Sequence, residues 1–160
     1  MLHIKDICPD IITRSKYMKI SKTVLNKINN LISDNPPETG GILGSKDNNI
    51  ITDFIIDEIK TSSDKICCYE PNVDYFNQHI DKWVEKGIAF KGIFHTHFFG
   101  VKTLSCADKK YISAIMENMP EEITYLYFPI FVLPNRELVC YRAEKTNKEI
   151  SICYENVIVI

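Results

Sequence analysis

The chain has no run of basic residues, no long apolar stretch, no C-x-x-C pair and no internal repeat. Lys and Arg number 19 against 21 Asp and Glu, a formal net charge of -2. Bulk electrostatics therefore offers nothing to a nucleic acid or to an anionic membrane. Tyr125 to Leu133 is apolar, yet it stops after about nine residues where a membrane-crossing helix needs roughly 20. Met1 to Asp10 mixes charged and apolar residues and lacks the apolar core and cleavage site of a signal peptide. A soluble, cytoplasmic protein is the expectation. Without a signal peptide, the six cysteines (Cys8, Cys67, Cys68, Cys106, Cys140, Cys153) do not read as a disulfide framework. Without C-x-x-C they do not read as a thiolate zinc knuckle either. Reduced thiols are expected, with Cys140 and Cys153 packed as small hydrophobes inside the apolar runs that contain them.

What is present fits one domain over residues 1–160, since 45% hydrophobic residues are enough for an independent core. Val24, Ile28, Leu31 and Ile32 recur at helical spacing from Ser21 to Ser33, with Ser21 able to cap and Pro36-Pro37 beyond the end. A strand is expected at Thr39 to Gly44, then a turn at Lys46 to Asn49 and a second strand at Ile50 to Lys60. Thr61 to Asp64 reads as a polar loop. Asn72 to Lys86 reads as an amphipathic helix with Val73, Phe76, Ile80, Trp83 and Val84 on one side, ended by Gly87. A buried strand at Ala89 to Phe94 runs into His95, and a helix spans Ser105 to Met119. Tyr125 to Leu133, Glu137 to Arg142 and Glu149 to Tyr154 read as strands. The expected class is mixed α/β, α+β-like: a curved mixed sheet flanked by helices.

The chemistry lies in His95-Thr96-His97, followed after seven residues by Ser105-Cys106-Ala107-Asp108. Side chains at i and i+2 of a strand share a face, so both imidazoles can approach one ion. Asp108, in the first turn of the next helix, can arrive as a third ligand if the loop Phe98 to Leu104 folds that helix back. Two histidines and a carboxylate leave zinc an open position, the pattern of a catalytic site. Each piece also has a plain structural reading: Ser105-x-x-Asp108 matches a helix capping box, and Glu38 alone reads as a solvated glutamate at a turn.

Taken together, Glu38 and His95-x-His97-x(7)-Ser105-x-x-Asp108 resemble the JAMM motif of the MPN-domain metalloproteases, the family of deubiquitinating and related peptidases. The stretch Glu38-Thr39-Gly40-Gly41-Ile42-Leu43-Gly44 looks most like the stand-alone prokaryotic branch. The resemblance implies an MPN-type, cytidine-deaminase-like architecture with one zinc ion per chain. It implies His95, His97 and Asp108 as ligands, Glu38 as general base and Ser105 as donor to the oxyanion. It further implies hydrolysis of an amide or isopeptide bond at the C-terminal tail of a ubiquitin-like or sulfur-carrier protein, and leaves a homo- or heterodimer open. The tail would lie as an added strand beside Gly40 to Gly44. Many relatives carry proline after the second histidine, where this chain has Phe98-Phe99-Gly100.

The alternative from another class is a non-catalytic MPN-type scaffold that binds partners. Such scaffolds usually lack ligands that this chain retains. A zinc nucleoside deaminase is excluded by the missing H-x-E…P-C-x-x-C signature. Cys106 at a helix start invites a reactive thiol, but packing is the preferred reading. His3 lies near a terminus and His79 on the outer side of its helix. Phe98-Phe99 reads either as a substrate or partner contact or as core.

Overall fold

The computed structural model describes residues 17–47, 49–58, 68–147 and 149–160. Among them are eight strands and three helices: β1 (Tyr17–Ile20), α1 (Lys22–Leu31), β2 (Gly40–Ser45), β3 (Ile50–Ile51), β4 (Asp53–Ile56), α2 (Val73–Glu85), β5 (Ala89–His97), α3 (Cys106–Asn118), β6 (Tyr125–Val132), β7 (Glu137–Thr146) and β8 (Glu149–Val159). The class is mixed α/β. The strands form one sheet in the order β3-β1-β8-β7-β6-β5-β2-β4. β5 and β6 are parallel, as are β1 with β3 and β1 with β8. The two end strands, β3 and β4, are separated in the chain by Thr52 alone, whose N–H donates to the Gly44 carbonyl at 2.9 Å. The sheet therefore curves until its ends nearly meet.

Alternation along the strands divides the core in two. Ile42, Ile93, Phe128, Ile130 and Val132 face Phe76 and Trp83 of α2 and Ile112 and Met116 of α3. Their neighbours Leu43, Phe94, Tyr127 and Phe131 face Val24 and Ile28 of α1, together with Met18 and Ile20 of β1. β6 is covered on both faces, which explains its near-continuous apolar sequence.

Several expectations need correction. The strand placed at Ile50 to Lys60 is two short strands serving opposite ends of the sheet; Lys60 and the loop Thr61 to Asp64 lie outside the described residues. Ser21 occupies the N-cap of α1, but its side chain makes no capping hydrogen bond. The apolar face of α2 is narrower than the sequence suggests: Phe76 and Trp83 are buried, while Val73 and Val84 are exposed. Val84 sits about 100° around the helix from Trp83, and Val73 falls in the first turn. Cys140 is buried, but Cys153 is exposed despite its apolar neighbours. Cys68, Cys106, Cys140 and Cys153 are free thiols, whereas Cys8, Cys67 and His3 lie outside the described residues. β7 and β8 run longer than expected, and β1 has too few residues to announce itself.

β5 approaches β6 closely at Gly92, where φ is +152° and an added Cβ would run into the backbone of Tyr127. This contact seats the strand that carries the histidines. We predict that Gly92→Ala costs at least about 3 kcal/mol in urea unfolding. Gly87→Ala, at φ +67° with open space around it, should cost only about 1–2 kcal/mol. Equal losses would contradict the close approach of β5 to β6.

Candidate metal centre

The pairing of β2 with β5 sets Gly40 opposite His95. Continued by two residues, that antiparallel register brings Glu38 opposite His97. Thr39 and Thr96 hold the extension. The Thr96 N–H donates to the Thr39 carbonyl at 2.8 Å, and the Thr39 N–H donates to Thr96 Oγ1 at 2.9 Å. His95 and His97 share the face of Ile93, on the side of α2 and α3. Beyond His97 the chain turns back: the Gly100 N–H donates to the Leu133 carbonyl at 2.9 Å, and the Val101 N–H to the Phe98 carbonyl at 3.2 Å. Gly100 takes φ +71° here and Phe99 takes φ +58°. The turn delivers Ser105 as the N-cap of α3, with the reciprocal capping box complete. Ser105 Oγ accepts from the Asp108 N–H at 3.0 Å, and Asp108 Oδ2 accepts from the Ser105 N–H at 2.7 Å.

Three donor groups converge. His95 Nε2 and His97 Nε2 are 2.8 Å apart. Asp108 Oδ1 lies 3.3 Å from His95 Nε2, and its Oδ2 lies 3.2 Å from His97 Nε2. Donors about 2.0–2.1 Å from one tetrahedral centre would stand roughly 3.3–3.4 Å apart, so the spacings suit a common ion after a small spreading of the imidazoles. Ring orientation agrees. His97 Nδ1 faces the Val101 carbonyl at 3.2 Å and His95 Nδ1 faces the Tyr111 hydroxyl at 3.1 Å. A proton on each Nδ1 leaves both Nε2 lone pairs directed at the shared point. Glu38, His95 and His97 also form a cluster able to hold a metal, their ligand atoms all within 4.8 Å of one another. Asp108, at 3.2–3.3 Å, is in hydrogen-bond reach of both rings, and Glu38 lines the adjoining cavity together with His97.

Electrostatics sorts these groups. Complete burial pushes the His95 imidazole down, overriding the raising effect of Asp108, which favours the neutral form that a metal ion would need. Burial also lowers His97, but Asp108, Glu38 and the Val101 carbonyl together raise it. The two Nε2 atoms, 2.8 Å apart, are close enough to share one proton, and the opposite shifts favour His97 over His95 as its holder. Burial alone would raise Asp108, yet hydrogen bonds from both histidines and the Ser105 N–H hold it well below the usual carboxylate range. Glu38 is pushed up to about 7, chiefly by burial and secondarily by Asp108, against the opposing charge of His97 and a hydrogen bond from the Tyr69 backbone. Two carboxylates thus take opposite roles, one permanently anionic and one able to exchange a proton near neutrality.

All five site residues expected from the sequence meet here. Ser105 takes the capping reading, its oxygen closing the α3 capping box; it also lines a cavity of about 220 Å3 with Glu38, His97, Phe98, Phe99, Val101, Thr103 and Leu104. The two phenylalanines divide. Phe98 is buried in the α1 core, whereas Phe99 is 86% exposed at the cavity rim. Cys106 is exposed at the first position of α3, and His79 is half-buried against the Tyr75 ring at 4.5 Å. One expectation is overturned. Gly40 to Gly44 is not a free edge for a substrate strand, because β2 is paired on both sides, with β4 and with β5. Sequence reasoning missed Tyr111 and Tyr69. Tyr111 was recoverable, being three residues beyond Asp108 on the same helical face; nothing in the local sequence marks Tyr69.

Comparison with known protein families and with curated proteins finds no match. Solved structures do share the fold. A protein from Desulfitobacterium hafniense is similar with a TM-score of 0.59 and 15% identity, over 89% of this chain and 92% of its own. A protein from Salinibacter ruber is similar with a TM-score of 0.55 and 14% identity, over the same shares of 89% and 92%. A JAB1/MPN domain protein from Archaeoglobus fulgidus gives a TM-score of 0.49 at 16% identity, over 88% of this chain and 99% of its own, a likeness too loose to carry argument.

In metal-free protein the Glu38 side chain is predicted to titrate with a midpoint at about 7, neutral below it and ionised above. Carboxyl-carbon NMR on glutamate-labelled protein measures this, with Glu38→Gln assigning the resonance. A midpoint near the ordinary value of about 4.3 would show a wet, unperturbed carboxylate.

Proposed function

We propose that the chain is a zinc-dependent peptidase or isopeptidase of the JAMM type, holding one zinc ion on His95, His97 and Asp108. The observation that carries this reading is the convergence of both Nε2 atoms and the Asp108 carboxylate within 2.8–3.3 Å of one another. The Glu38 carboxylate comes within 4.8 Å of both histidine nitrogens, and Glu38 and His97 border a cavity that reaches the surface. A structural site would close around its ion; this one keeps a side open to substrate. When bound, zinc supplies Lewis acidity that polarises a carbonyl and eases ionisation of water.

The chain's own groups do the rest. Glu38, with a proton affinity near neutrality, takes a proton from the attacking water at its carboxylate and returns it to the departing amine. Ser105 Oγ already accepts from the Asp108 N–H, which leaves its own proton to donate to the oxygen that gains charge. Asp108 stays anionic and holds both rings; the Val101 carbonyl and Tyr111 hydroxyl keep their outer nitrogens occupied. The favoured substrate is the C-terminal tail of a ubiquitin-like or sulfur-carrier protein. With β2 paired on both sides, that tail enters along the rim formed by Phe99 and Val101 rather than by adding a strand there. The enzyme reading places the protein in the cytoplasm, acting without nucleic acid or membrane. No helix among the described residues is long and apolar enough to cross a membrane.

Purified after metal-replete expression, the protein should carry close to one zinc per chain, and His95→Ala should lose it. Glu38→Gln should keep the zinc but cleave ubiquitin-like fusions at least about 100-fold more slowly. Retained turnover in that variant would rule out the assigned base. Zinc well below half an equivalent would favour the partner-binding scaffold instead.

A further inference from the structure

Asp57 is a buried carboxylate remote in sequence from every residue of the motif. One oxygen, Oδ2, accepts from the Tyr69 hydroxyl at 2.8 Å and from the Asn72 N–H at 3.0 Å. The other, Oδ1, is buried with no partner among the described residues. A carboxyl group only 9% exposed with one oxygen unsatisfied is costly to bury, and the hydrogen bonds on its other oxygen offset that cost. Tyr69, which it anchors, reaches the metal centre twice. Its ring stacks on His95, centroids 5.6 Å apart and planes 11° from parallel. Its backbone N–H is directed at the Glu38 carboxylate. The ring fills the space over Gly40, where an added Cβ would strike it. Tyr111 meets the same ring edge-on at 6.3 Å, so His95 is walled by aromatics and fully buried.

We infer that Asp57 and Tyr69 form a brace that positions Glu38 and His95 together. They are positioning residues. The hydroxyl, tied to Asp57, fixes the backbone N–H that holds the base, and the ring fixes the plane of the ligand. The consequence for catalysis rests on the peptidase reading above; the mechanical tie does not. Because only Oδ2 of Asp57 is used, an asparagine can take over both hydrogen bonds with its single carbonyl oxygen and place its amide where Oδ1 is now.

Four variants separate the parts: Asp57→Ala, Asp57→Asn, Tyr69→Phe and Tyr69→Ala. Hydrogen exchange at the Tyr69 amide, read by NMR, reports the tie to Glu38 without any assay of turnover. In Asp57→Ala, Tyr69→Phe and Glu38→Ala that amide should exchange at least about tenfold faster than in wild type, while Asp57→Asn should match wild type. Zinc affinity should stay within about twofold in Tyr69→Phe, which keeps the ring, and weaken about tenfold in Tyr69→Ala, which removes it. Turnover should fall about tenfold in kcat with KM unchanged in Asp57→Ala and Tyr69→Phe, and stay at the wild-type level in Asp57→Asn. Wild-type exchange in Asp57→Ala and Tyr69→Phe, or wild-type zinc affinity in Tyr69→Ala, would overturn the brace. If no form cleaves any fusion, the peptidase reading falls alone, and exchange and zinc affinity still decide the brace.

Discussion

The extension of the β2–β5 ladder by one further residue pair, Thr39 with Thr96, holds the centre together. Two hydrogen bonds between those threonines carry the register past the end of β2 and put Glu38 across from His97. A slip of one residue would turn both histidines to the α1 side of the sheet. The buried threonine between the histidines is thus as necessary as they are. Gly92 adds a second restraint by letting β5 lie against the Tyr127 backbone.

Once the register is set, the site is a problem of unsatisfied polar groups. Two imidazole nitrogens and a carboxylate face one point inside the protein, where isolated charge is expensive. Without a cation the arrangement is held by the contacts of both rings with the Asp108 carboxylate, and the opposite shifts favour a proton on His97 over His95. A divalent ion would replace that proton and use all three groups at once. The α3 capping box fixes Asp108 in place, so the same residue ends a loop, starts a helix and faces both imidazoles. Glu38 differs because burial acts on it with less compensation, and it retains a proton until about pH 7.

Much of this was legible in the chain. Apolar residues at helical spacing located α1 and α2, the capping-box spacing Ser105-x-x-Asp108 marked the start of α3, and apolar runs marked the strands around His95 and Tyr125. His95, His97 and Asp108 were legible through their spacing, since i and i+2 on a strand and the first turn of a helix are local relations; Glu38 and the role of Ser105 came only from the resemblance to the JAMM motif. What escaped was non-local. β1 and β3 are too short to show alternation, and the pairing of β2 on both flanks depends on strands far apart in sequence. Val73 and Val84 were misplaced since helical periodicity does not reveal where the sheet ends. Tyr69 and Asp57 were invisible: their importance lies in what they touch across the fold.

X-ray absorption at the zinc edge tests the account most directly. The zinc-loaded protein should show four nitrogen or oxygen neighbours at about 2.0–2.1 Å, with the outer scattering of two imidazole rings. A sulfur neighbour at about 2.3 Å, or a spectrum without imidazole scattering, would contradict the assignment of His95, His97 and Asp108 as the metal's ligands.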